Sequence, residues 1–132
     1  MKTISIKTRA KEELIDITHE VKSAVRDSKI KNGVCIVFVP HTTAGITINE
    51  NADPDVKADL LMGFGKMVPD SLPWQHAEGN SPGHVKAALV GSSVQIVIEG
   101  GDLELGTWQG IYFCEFDGPR QRSIFVEILA RA

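Results

Sequence analysis

The chain is predicted to fold as an α+β protein, mainly an antiparallel β-sheet or sandwich carrying two helices. Three observations predict it. Helical signals occur at only two places, both in the first half. The second half reads as short apolar runs punctuated by glycine, serine, aspartate and proline. No internal repeat or low-complexity segment interrupts the 132 residues, a length that suits one domain over 1–132.

Taken in order, Thr3-Ile4-Ser5-Ile6-Lys7-Thr8 alternates with period two and predicts a strand with one buried face. Glu13 to Thr18 fits a short strand or the approach to a helix. A helix is expected from about Thr18 to Ser28, with Thr18 as N-cap and Val21 and Val25 on one side. Val34 to Val39 is too apolar for a strand with a wet face, and Pro40 stops it. Ile46 and Ile48 flank Thr47, predicting a strand that pairs back onto this one. Asp53-Pro54 starts the second helix, a capping carboxylate followed by proline where its missing N–H costs nothing. Val56, Leu60, Leu61 and Phe64 follow at helical spacing, and Pro69 ends the pattern.

Residues 69–84, PDSLPWQHAEGNSPGH, are expected to form an irregular surface loop. Strands are then predicted at Val85–Val90, Val94–Glu99, around Thr107–Phe116 and at Ser123–Leu129. Gly91-Ser92-Ser93, Glu99-Gly100-Gly101-Asp102 and Asp117-Gly118-Pro119 separate them as hairpin turns would.

Composition restricts the function. A net charge of −3 argues against general attraction to nucleic acid or an anionic membrane. No apolar run approaches the ~20 residues that span a bilayer. The start, MKTISIKTRAKEEL, does not read as a secretory signal. Cys35 and Cys114 lie in apolar strand-like runs and read as reduced, buried thiols rather than a disulfide. A cytoplasmic location is therefore expected.

Four histidines carry the chemical interest. His19 falls among charged residues of the first helix and reads as a solvated side chain. His41 closes a buried strand in the stretch PHTTAGITINEN, while His76 and His84 flank the irregular loop. Three imidazoles in one cleft suit a catalytic zinc site with an open position, with Glu50 or Asp53 as ligand or orienting carboxylate. Their spacing matches no defined metal motif, and capping of strand ends by hydrogen bonds to backbone is the alternative. Thr42, Thr43 and Asn49 are candidate polar contacts to a bound anion. Arg120 and Arg122, two apart after a turn, suit a phosphate or carboxylate; a charged edge strand explains them equally well. Trp108-Gln109 between Gly106 and Gly110 reads as a stacking surface with an amide beside it, or as a core tryptophan beside a bulge.

PHTTAGITINEN, the loop ending GNSPGH and the run GSSVQIVIEGGDLELGTWQGIYFCEFDGPRQRSIFVEIL together resemble the YjbQ-like family, often labelled secondary thiamine-phosphate synthases. The resemblance covers nearly the whole chain. It implies an α+β fold assembling as a homotrimer, with a cleft near the subunit boundary. It further implies that His41, His76 and His84 gather there around a divalent metal, zinc or else magnesium, with Glu50 and Arg120 nearby as catalytic groups. Thr42, Thr43, Asn49, Trp108, Gln109 and Arg122 would then contact a small phosphorylated metabolite. The label implies joining a pyrimidine diphosphate to a thiazole phosphate. A histidine-rich site in so short a chain makes this a secondary activity of a metal-dependent enzyme. The competing expectation is a non-enzymatic module that binds a small anion.

Overall fold

In the computed structural model, which describes residues 1–132, the chain runs β1 (Lys2–Lys7), β2 (Glu13–Asp16), α1 (Thr18–Ser28), β3 (Gly33–Phe38), β4 (Ala44–Glu50), α2 (Pro54–Met67), α3 (Ser81–Val90), β5 (Ser93–Glu99), β6 (Asp102–Leu103), β7 (Gln109–Glu115) and β8 (Gln121–Ala130). The strands make two antiparallel sheets, one ordered β1-β8-β3-β5-β6 and the other β2-β7-β4. The α+β class holds, with three helices instead of two. No helix is long and apolar enough to cross a membrane.

The two sheets face each other. Ile6, Cys35, Val37, Ile98, Ile124 and Val126 of the larger sheet share one core cluster with Ile46, Ile111 and Phe113 of the smaller. Val21, Ala24 and Val25 of α1 belong to the same cluster and close its side. On the outer face of the smaller sheet, Tyr112, Cys114 and Phe116 pack with Ala87 and Val90 of α3 and Leu60, Leu61 and Phe64 of α2. Phe64 meets Phe116 edge to face, centroids 5.8 Å apart. The result is a layered β/β/α arrangement. Both cysteines are free and buried, and burial pushes their thiols up, Cys35 to about 11 and Cys114 to about 12.

Local chemistry accounts for most boundaries. Asp53 Oδ1 accepts the Asp55 N–H at 2.9 Å, and Pro54 opens α2 as predicted. At α1 the cap is displaced: Thr18 is the first helical residue, and Asp16 Oδ1 accepts both its N–H and its hydroxyl. The Thr18 hydroxyl accepts in turn from the Ile111 N–H, so it ties the helix to β7. In the β5–β6 hairpin, Gly100 and Gly101 hold φ of 61° and 82°, the left-handed pair that a two-residue turn demands.

Three expectations are corrected. Val85–Val90 belongs to α3, which begins at Ser81. Its residues show no clear helical period because a charged one, Lys86, is on the buried side, paired with Glu12 at 2.7 Å, while Ala88 and Leu89 are exposed. Gly83 makes that seat possible: a Cβ there would stand 2.8 Å from the Phe116 carbonyl oxygen. Second, β4 does not pair with β3. Both edges of β3 are taken by β5 and β8, so after Pro40 the chain leaves for the smaller sheet and β4 pairs with β7. Third, only Glu99–Asp102 is a hairpin turn. Gly91-Ser92 leads from α3 into β5, and Asp117-Gly118-Pro119 carries the chain from β7 back to β8 in the other sheet.

Candidate functional site

Two of the passages from one sheet to the other lie side by side. One is the Val39–Thr43 segment between β3 and β4; the other is the Phe116–Arg120 segment between β7 and β8. The Phe116 N–H donates to the Thr43 carbonyl at 3.0 Å and joins them. With the residues entering α3 they enclose a cleft of about 450 Å³ with no hydrophobic residue in its lining. His41, Thr42, Thr43, His76, His84, Arg120 and Arg122 all line it.

Beneath the cleft lies an ion pair. Glu115 is fully buried and Arg122 is 5% exposed. Arg122 Nε donates to Glu115 Oε1 at 2.8 Å and Nη2 donates to Oε2 at 2.5 Å. Nη2 also reaches Thr43 Oγ1 at 2.9 Å. The remaining demand of Glu115 is met by the Thr8 hydroxyl at 2.7 Å and the Asp117 N–H at 3.0 Å. Burial alone would raise the Glu115 carboxyl. The hydrogen bonds from Arg122, Thr8 and Asp117 outweigh it and hold the group below the usual carboxylate range. Arg122 Nη1 takes no protein acceptor and stays open to the cleft.

Arg120 is half exposed and held from one side. Its Nε donates to the Asp117 carbonyl at 2.7 Å and Nη2 donates to Asp117 Oδ2 at 2.9 Å. That carboxylate also accepts from Asn80 Nδ2 at 2.8 Å, and Asn80 and Arg120 together keep Asp117 ionised against the cost of burial. Asn80 Oδ1 is buried without a partner.

Among the imidazoles, His41 Nε2 accepts the Ser123 backbone N–H at 3.0 Å. The proton of the neutral ring is therefore on Nδ1. Burial and the Arg122 charge push its pKa down, keeping it neutral at pH 7. His76 and His84 meet edge to face with centroids 5.3 Å apart, and Glu78 stands 3.8 Å from His76 Nε2. Two imidazoles sharing one tetrahedral zinc at ~2.0–2.1 Å also stand about 5 Å apart, so this pair suits two corners of such a site. No three His, Cys, Asp or Glu side chains converge on one point as a ready ligand set.

Glu50, Asn49, Trp108 and Gln109 lie elsewhere. β4 begins beside the cleft and carries Asn49 and Glu50 away to its other end, six residues and ~20 Å from Ala44. There Glu50 pairs with Gln109 and Asn49 with Gly110. Trp108 is 63% exposed and is not a core tryptophan. Gln109 Oε1 accepts the Gly106 N–H at 2.8 Å, which folds the glycine-flanked turn onto itself. Asp53 acts only as the helix cap. Sequence reasoning missed Glu115, Asp117, Asn80 and Glu78. Glu115 did carry a signal, a carboxylate between Cys114 and Phe116 in a run buried on both faces.

Fold and site thus define a two-sheet α+β protein with a basic and histidine-bearing cleft where the chain changes sheets. The chain belongs to the UPF0047 protein YjbQ-like family, whose pattern it matches over residues 2–131. It is 53% identical over 124 residues to a UPF0047 protein of Methanocaldococcus jannaschii, covering 94% of this chain and 90% of that one. To the UPF0047 protein YugU of Bacillus subtilis it is 49% identical, with 98% of each chain covered. The crystal structure of a family protein from Clostridium acetobutylicum superposes with a TM-score of 0.96 at 56% identity, over 98% of this chain and 100% of that one. A Sulfolobus solfataricus protein described as YbjQ-like and of unknown function gives 0.95 at 38% identity, over 98% and 96%.

Proposed function

We propose that the cleft binds a small phosphorylated metabolite and acts on it as a metal-dependent enzyme. The observation that carries this reading is the buried Glu115–Arg122 pair. It fixes one guanidinium with a free nitrogen directed at a polar cleft, beside a second arginine and three imidazoles. A phosphate meets a preset donor array there and needs little reorganisation to bind. Arg120 and Arg122 Nη1 take the anionic oxygens, Thr42 adds a hydroxyl, and His41 donates from Nδ1. His76 and His84 would hold a divalent ion, zinc by the nitrogen donor set, and that ion would supply Lewis-acid activation. Glu78, the carboxylate inside the cleft, would orient His76 as a ligand and itself carry the proton, a role the sequence had placed on Glu50. Joining a pyrimidine diphosphate to a thiazole phosphate fits as a secondary activity, with the arginines drawing off the leaving diphosphate. The same proposal includes a homotrimer in the cytoplasm; the support for assembly is α2, a 14-residue helix with no buried residue.

Titration calorimetry with inorganic phosphate, with and without zinc, tests the site. Binding should weaken at least about tenfold in Arg120→Ala, the scale of one charge-assisted hydrogen bond. Zinc should bind to the unaltered chain and not to His76→Ala or His84→Ala. Absence of phosphate binding in both metal states overturns the reading. One observation favours the module without turnover: the Nε2 lone pair of His41 is engaged by Ser123, leaving that ring a donor only. Product from a screen of phosphate esters, lost in Glu78→Gln, supports the enzyme. Binding without product supports the module.

A further inference from the structure

His41, Thr42 and His84 line a second groove of about 280 Å³ besides the basic cleft. Its other walls are small: Ala44 at the start of β4, Ala87 and Ala88 on α3, and Gly91 with Ser92 at the exit from that helix. No arginine, lysine or carboxylate reaches it. The two hollows therefore share the imidazoles as a partition, basic on one side and mostly apolar on the other.

The groove exists because α3 and β4 meet closely at one point and part beyond it. A Cβ on Gly45 would stand 2.7 Å from the Gly91 carbonyl oxygen, so there is no room for a side chain at the contact. The Ile46 N–H donates to that same carbonyl at 3.0 Å and fixes the spacing. Past the contact, the space before Gly91 is open to at least 4 Å, and its φ of 102° keeps the position a glycine. Ala88 is exposed, so packing does not dictate its size.

We propose that this groove is the subsite for the organic part of the ligand, and that the ligand is a phosphate ester of a compact, uncharged, flat group. An ester oxygen passing between His41 and His84 would leave its phosphoryl group with Arg120 and Arg122 and lay its ring against the alanines. A larger or charged group has neither the room nor a counter-charge there. The inference rests on the anion reading of the main cleft.

The test compares inorganic phosphate with phenyl phosphate on the full chain by calorimetry. Phenyl phosphate should bind about tenfold more tightly, a modest share of what burying one ring face gives in a half-open groove. In Ala88→Leu, whose side chain occupies the groove from an exposed helical position, the ratio of the two affinities should fall towards one. Ser92→Leu, from the opposite side, should do the same, and circular dichroism melts report whether either variant is folded. A ratio near one in the unaltered chain, or a ratio that both folded variants leave intact, overturns the subsite while the anion cleft stands. Failure of both ligands to bind removes the anion reading and the subsite with it.

Discussion

Arg122 illustrates how one side chain serves both stability and recognition. With Glu115 wholly buried, Arg122→Met leaves an uncompensated carboxylate in the core and should cost about 3–5 kcal/mol. Urea denaturation measures the loss, and phosphate binding should disappear in the same variant under conditions where it remains folded. The acid limb follows from the depressed pKa of Glu115. Its contribution is complete above the ordinary carboxylate value of 4.5 and is lost as pH falls through the lower folded value. His41 acts in the same direction at a higher pH. Its folded pKa lies below 6.5, so the unfolded chain takes up the proton first and stability declines as pH drops below 6.5. A His41→Gln variant should show a flatter stability curve from pH 6.5 downwards; a slope equal to that of the unaltered chain counts against the assignment. At this scale the sequence was informative about exposed chemistry. His41, Thr42, Thr43, His76, His84 and both arginines could be picked out and do share a cleft. Nothing in the spacing revealed that Arg122 is buried and Arg120 exposed, because that depends on where β8 enters the sheet.

At the scale of elements, the glycines separate two kinds of helix. In α2, Gly63 and Gly65 face open space, and each change to alanine should stabilise the protein by roughly 0.5–1 kcal/mol. Gly83 in α3 has the same intrinsic penalty and the opposite expected outcome. Its added Cβ would meet backbone at Phe116, so Gly83→Ala should destabilise by about 1–3 kcal/mol. Thermal melts of the three variants should give shifts of opposite sign. The contrast also explains which helices were legible. α2 carries a capping aspartate, a first-turn proline and spaced apolar residues, and was predicted from them. α3 opens with Asn80-Ser81-Pro82-Gly83, residues that serve a turn as well as a helix start, and continues as Val85–Val90, apolar but for Lys86, a run that a buried strand would also show. Its helical state is set by its seat against β4, where Gly45 meets Val90 and Gly91, a tertiary fact. The false pairing of β3 with β4 has a similar origin, since neighbours in sequence pair by default and only the occupied edges of β3 forbid it.

For the whole molecule, the unburied side of the helical layer dominates the surface. Met62 is 58% exposed, Met67 70% and Leu89 62%, beside a hollow lined by Leu60, Phe64 and Val90. Apolar surface of this kind is expected to be covered by association. Sedimentation equilibrium should return three times the chain mass of 14.4 kDa, and Met67→Glu together with Leu89→Glu should reduce it to one. A single-chain mass for the unaltered protein counts against the trimer.

The bond from Phe116 to Thr43 gives the cleft a particular kinetic character. It continues the β4–β7 ladder one residue past the Ala44–Glu115 pair, and the Ser123 amide of β8 is likewise committed to His41, so each hydrogen sits at the cleft end of a sheet. Neither can exchange with solvent deuterium while its bond holds, and release takes only fraying of that ladder end or a turn of the His41 ring. These two amides should therefore exchange through local opening, faster than the centre of β3, and slow when phosphate occupies the cleft. Ligand entry would then be visible as protection gained at the rim of the cleft, where opening is local.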